Sequence, residues 1–111
     1  MRKGRGRRQT VRVPTSLPVE WGPTKKYQHN GKVTSLSAGG CLLETDAVQP
    51  LFGKTIYIRV PLPDRDWWEV QGEVLYYVRD IGFGVQFSGM TGDDKSILRL
   101  LMQHYRENTS G

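Results

Sequence analysis

The chain has 111 residues, 37% of them hydrophobic, and its 16 lysines and arginines against 11 acids give a formal net charge of +5. That length sustains one hydrophobic core and not two; the single cysteine, Cys41, excludes an internal disulfide and a CxxC metal site. No apolar run approaches the ~18 residues that a membrane-spanning helix needs.

The charge is concentrated at one end. Arg2, Lys3, Arg5, Arg7, Arg8 and Arg12 leave ten basic against eleven acidic residues for 13–111. A nearly neutral domain with a basic arm suits an anionic ligand held between arm and domain. Residues 1–12 read as a flexible arm, since Gly4, Gly6 and mutual charge repulsion oppose local structure. No apolar stretch follows these charges, so they are not a secretory signal, and a reducing, cytoplasmic setting is expected.

Pro14 and Pro18 keep the next segment extended, and the alternation over 17–21 predicts an edge strand. Gly22-Pro23 and Asn30-Gly31 are turn signals, the second of the tight-hairpin kind. Strands are predicted over 31–37, 41–45, 55–62, 67–77 and 83–87. Gly39-Gly40, Phe52-Gly53, residues 61–66 and Asp80-Ile81-Gly82 separate them. Ile56, Ile58 and Val60 share one strand face, as do Phe83, Val85 and Phe87. Trp67 and Trp68 are adjacent on a strand, so they face opposite ways, and the exposed one is a candidate partner contact. The pattern predicts a mainly β fold, a small six-stranded antiparallel barrel. Beyond residue 91 the period changes: Ile97, Leu98, Leu101 and Tyr105 line one face of a helix over about 93–106, with Thr91 and Asp94 as an approximate capping box. The single domain therefore spans 13–106, the helix is expected to plug an open end of the barrel or lie on its side, and 107–111 form a disordered tail.

Two motifs carry chemistry. Arg8-x-x-x-Arg12 offers two guanidinium forks, each able to pair with phosphate oxygens or with the O6/N7 edge of guanine, or to stack on the base. Ser35-Leu36-Ser37-Ala38-Gly39-Gly40 supplies small hydroxyls, and glycines that allow close backbone approach and tolerate positive φ. In this order, with the barrel, the Gly82-to-Phe87 strand and the final helix, they resemble the PilZ domain family over about 7–105. The family's bacterial receptors bind cyclic di-GMP through RxxxR and [D/N]xSxxG.

The resemblance implies a PilZ-like split barrel and a stand-alone cyclic di-GMP receptor, with an effector protein as partner and no metal. Arg8 and Arg12 match RxxxR, and Ser37 and Gly40 match the Ser and Gly of the second motif. Ser35 stands where the family has Asp or Asn. A carboxylate there accepts the guanine N1–H and N2–H pair, which a hydroxyl cannot. Arg7 precedes the motif, where family members use arginines against a second ligand molecule. Gly39 lends the loop freedom. Tyr76 falls where the family borders its site, although core packing is the expected role for a strand tyrosine.

The alternative is a PilZ-type adaptor that binds no cyclic di-GMP and works only through protein contacts. An RNA- or single-stranded-DNA-binding barrel would interleave basic and aromatic residues on a sheet face; here the bases sit in the arm, which argues against it. His29 and His104 lack metal-ligand spacing, and no nucleophile with its base or phosphate loop points to an enzyme.

Overall fold

The computed structural model describes residues 11–46, 53–63 and 65–109. Arg7, Arg8, the rest of the arm to residue 10, Phe52 and residues 110–111 lie outside the described residues. Six strands, β1 (Val13–Gly22), β2 (His29–Leu36), β3 (Gly40–Glu44), β4 (Thr55–Leu62), β5 (Arg65–Val78) and β6 (Gly82–Ser88), precede one helix, α1 (Gly92–Thr109). The strands pair antiparallel in the order β1-β2-β3-β6-β5-β4 and close into a barrel, with β1 and β4 meeting only from Glu20 to Gly22.

Alternation produces the core. Ile56, Ile58 and Val60 point inward and are buried, as are Phe83 and Val85. Phe87 is partly buried, edge-on to Trp68 with ring centroids 6.3 Å apart. Trp21 meets Phe83 edge-to-face at 5.1 Å and donates its indole N–H to Thr45 Oγ1 at 3.2 Å, so its polar atom is satisfied inside the barrel. Of the tryptophan pair, Trp68 is buried and Trp67 exposed.

Two strand expectations differ from the structure. β1 is no edge strand, because its end pairs with β4 from Glu20 to Gly22. Pro14 and Pro18 lie before that pairing, with β2 on one side, and a ring nitrogen turned to the other side costs no ladder bond. The first hairpin reverses over residues 23–28 rather than at Asn30-Gly31, which pair with Glu20 and Val19 inside the β1–β2 ladder. The turn is made by Tyr27 in the left-handed region (φ 49°), its ring held under the Arg59 guanidinium at 4.7 Å.

The helix carries the expected face. Leu98 is buried against the core, and Ile97, Leu101, Met102 and Tyr105 pack around it; burying a leucine contributes about 1.5–3 kcal/mol. Its start is a reciprocal capping box: Asp94 N–H donates to Thr91 Oγ1 (3.0 Å), and Thr91 N–H to Asp94 Oδ2 (2.9 Å). The second carboxylate oxygen accepts the Trp68 indole N–H at 3.0 Å, tying helix to barrel. Burial raises the Asp94 pKa, but these donors outweigh it and the net shift is downward. The helix runs three residues beyond the expected end at Arg106, where Gln103 donates to Glu107 at 3.2 Å. Tyr105 Oη donates to the Ser16 carbonyl at 3.2 Å, pinning this end to β1. No helix among the described residues is long and apolar enough to cross a membrane.

Candidate functional site

Arg12 enters β1 beside the β2–β3 connection and donates from Nη1 to Ser35 Oγ at 3.0 Å. The two motifs thus meet through one arginine and the residue that departs from the family pattern. Arg12 also lies near Cys41. Burial pushes that thiol up to about 12, with the nearby guanidinium acting weakly in the opposite direction.

Ser35 opens a lateral row on the outside of the barrel. Pro14 faces Ser35, Ser35 faces Leu42, Leu42 faces Gly84 and Gly84 faces Tyr76, so the row crosses β1, β2, β3, β6 and β5 in turn. Ser35 and Tyr76 are three strand spacings apart, about 14 Å along the sheet. The Tyr76 ring lies over Gly84 and occupies the space that a Cβ there would need. Leu42 therefore floors a shallow surface with Arg12 and Ser35 at one margin and, at the other, the Tyr76 ring that covers Gly84. Tyr76 is 42% exposed, so it does not pack in the core as expected. A bulge between Val74 and Tyr76 turns it outward. Leu42 and Gly84 were not singled out by sequence reasoning. The available signal was strand alternation, which sets Leu42 opposite in sense to the buried Cys41 and Leu43.

The second motif serves first to build its own turn. Ser37 Oγ accepts from the backbone N–H of Gly39 (3.3 Å) and Gly40 (3.1 Å) and donates to the Gly40 carbonyl at 3.3 Å. The Ser37 N–H reaches the same carbonyl at 2.9 Å, and Phe87 N–H donates to Gly39 O at 2.8 Å. Ser37 is 2% exposed, so its hydroxyl faces into the turn. Neither Gly39 nor Gly40 takes positive φ; among the described residues the glycines that do are Gly53 and Gly89. Gly40 is needed for close approach instead, since a Cβ there would collide with the Val85 carbonyl on β6, whereas Gly39 is open to solvent.

A second cluster lies on β1, β4 and β5. Arg59 donates to Glu20 Oε1 from Nε (2.8 Å) and approaches it from Nη2 at 2.6 Å. Its guanidinium also stacks between Tyr27 (4.7 Å) and the exposed Trp67 (4.3 Å). Burial and the adjacent Glu69 carboxylate raise the Tyr27 phenol pKa, against the pull of Arg59. Among the described residues, no group of three or more His, Cys, Asp or Glu side chains could hold a metal ion.

A family model described as the PilZ domain matches residues 6–103. Solved structures are similar in fold at low identity. The PilZ domain with c-di-GMP of YcgR from Escherichia coli matches with a TM-score of 0.73 at 12% identity, over 93% of this chain and 94% of that one. The Bacillus subtilis inhibitor of motility MotI/DgrA gives 0.67 at 18% identity, over 92% and 52%. The K. pneumonia MrkH–c-di-GMP complex gives 0.70 at 15% identity, over 98% and 54%. The chain thus spans about half the length of MotI/DgrA and MrkH. No curated protein sequence matches it. With its six-stranded closed barrel, its terminal helix and a match over nearly its whole length, the chain belongs to the PilZ domain family.

Proposed function

We propose that this chain is a cyclic di-GMP receptor that passes the presence of the second messenger to a partner protein. The observation that carries the proposal is the Arg12–Ser35 bond, which joins the last arginine of RxxxR to the β2–β3 motif at one margin of the outer surface bounded by Tyr76. YcgR and MrkH, which share the fold, have been solved with c-di-GMP.

The chemistry is consistent with that ligand. Arg12 is already held at the site by a neutral hydroxyl, and exchanging that acceptor for a phosphate oxygen places an anion opposite the guanidinium. Bonds to charged groups contribute about 1.5–3 kcal/mol each. A micromolar site needs about −8 kcal/mol. Arg8 and Arg7 from the arm, with Tyr76 stacking across the floor, would supply the remainder as the arm folds over the ligand. Ser37, Gly39 and Gly40 act by shaping the turn.

Calorimetric titration of the full chain with cyclic di-GMP, with GTP and an oligonucleotide as controls, tests the proposal. Binding of cyclic di-GMP alone, weakened about tenfold or more by Arg12→Ala with the circular dichroism spectrum unchanged, is the expected result. Unchanged affinity in that variant overturns the mechanism. Absence of heat with the wild-type chain favours the second reading, an adaptor without ligand. That reading is supported by the neutral Ser35 and by the exposed Arg59–Trp67 stack, whose residue types dominate protein interfaces.

A further inference from the structure

The turn that carries Ser37 and Gly40 also forms one wall of a cleft. Ala38, at its exposed tip, faces α1 across a cavity of about 670 Å³ with Leu98 and Met102 on its floor, Lys95 and Arg99 along the helix side, and Arg106 and Glu107 at the far end. Nothing in the RxxxR or β2–β3 motifs accounts for that helix face.

Its composition is unfavourable for the helix alone. Lys95 and Arg99 are four residues apart and exposed; like charges at that spacing repel on a helix surface. Neither makes an ion pair among the described residues. Two of the helix acids, Asp93 and Asp94, stand in its first turn, and Asp94 is engaged by Thr91 and Trp68. A cleft of this size, with an apolar floor and a few charged groups converging on it, has the form of a small-molecule site. The cations select a phosphorylated ligand, and the half-buried Met102 suits the flat face of a base.

We infer that the nucleotide site continues past the β2–β3 turn onto α1, with Lys95 and Arg99 as phosphate contacts of the bound cyclic dinucleotide. This rests on the receptor reading given above. The turn is common to both sides. Val13 and Leu36 face each other where β1 begins, and Leu36 faces Cys41 just beyond the turn. Ser35, bonded to Arg12, stands three residues before Ala38, and Ala38 lines the cleft with Lys95 and Arg99, so both sets of groups adjoin the same turn. A ligand with two phosphates can engage both, and it would link Arg12 to the helix that closes the barrel. The small side chains Ala38 and Gly39 keep the passage open, and no atom lies within 4 Å of where a Gly39 Cβ would stand.

The test is calorimetry with cyclic di-GMP on the full wild-type chain, on Lys95→Ala/Arg99→Ala, and on Lys26→Ala/Lys32→Ala. The last pair is a charge-matched control whose residues line neither cleft nor turn. The helix variant should bind about tenfold or more weakly, as expected for lost charged contacts, with its melting temperature retained, since both side chains are exposed. The control should bind like wild type. Equal affinity of the helix variant and wild type overturns the inference while leaving the receptor reading intact. Equal weakening in both variants overturns it as well, by reducing the effect to net charge. A wild-type chain that binds no cyclic di-GMP overturns both.

Discussion

Replacing Ser35 by aspartate restores the family's acidic position at the one place where this chain departs from it. Ser35 Oγ now accepts a single hydrogen bond from Arg12 at 3.0 Å, on the solvent-facing side of β2. A carboxylate there would have two consequences that can be measured separately. In the free protein it forms an exposed ion pair with Arg12, adding about 0.2–1 kcal/mol and screened by salt. In the complex it accepts two donors from a guanine edge, where the hydroxyl accepts one. Each charged bond contributes about 1.5–3 kcal/mol before the Arg12 pair and bound water are displaced. After those offsets the net gain is about 1–3 kcal/mol, or roughly 5- to 150-fold in affinity. Calorimetry of Ser35→Asp and wild type at the same salt concentration, with the melting temperature of each free protein, separates the two effects. A free protein that is slightly more stable and binds cyclic di-GMP at least fivefold tighter is expected. Unchanged or weaker binding in a folded variant would refute the placement of Ser35 against a guanine edge.

Asp94→Ala removes one half of the capping box and leaves the Trp68 indole N–H buried without its acceptor. The cost is about 1–3 kcal/mol, and each kcal/mol lowers the melting temperature by about 4–8 °C in a domain near this size; an unchanged melting temperature would refute this role. Because folding depresses the Asp94 pKa, its contribution is present above the ordinary carboxylate value of about 3.9 and is lost as pH falls through the lower folded value. The melting-temperature gap between wild type and Asp94→Ala should therefore close on acidification. Cys41 behaves in the opposite sense, since burial raises its pKa to about 12. The neutral thiol favours the folded state fully below the ordinary value near 8.5 and progressively less as pH rises toward the folded one. Native protein at pH 8 should resist thiol-specific labelling, whereas fast stoichiometric labelling without denaturant would show that the barrel opens there.

What the sequence disclosed followed how local each determinant is. The alternation of Ile56, Ile58 and Val60, the helix face around Leu98 and the opposed tryptophans are set by neighbours along the chain, and the structure reproduces them. Tyr76 is not in the core expected of a strand tyrosine: it is two residues from the inward Val74, and simple alternation would send both inward. The bulge between them reverses that sense. Ser35 stands in the same relation to the buried Val33, again across a bulge. The outer row from Pro14 to Tyr76 is therefore a product of register across five strands, which no local pattern encodes. The first hairpin was misplaced because Tyr27 takes a conformation expected of glycine or asparagine, held under Arg59 by contacts 32 residues away in sequence.

The division of labour within the second motif decides which residues can separate the two functional readings. Ser37 holds the backbone of Gly39 and Gly40 with its only hydroxyl, and Gly40 permits β3 to lie against Val85. Both are required for the turn whether or not a nucleotide binds there, so their presence is compatible with a receptor and with an adaptor alike. Their substitution would abolish binding through misfolding as readily as through a lost contact. Arg12 and Ser35 differ, because their bond is exposed and closes no backbone feature. Their substitution is expected to leave barrel, turn and helix in place. Function in this chain is therefore tested at the two exposed partners, and the buried serine and glycine report on the fold.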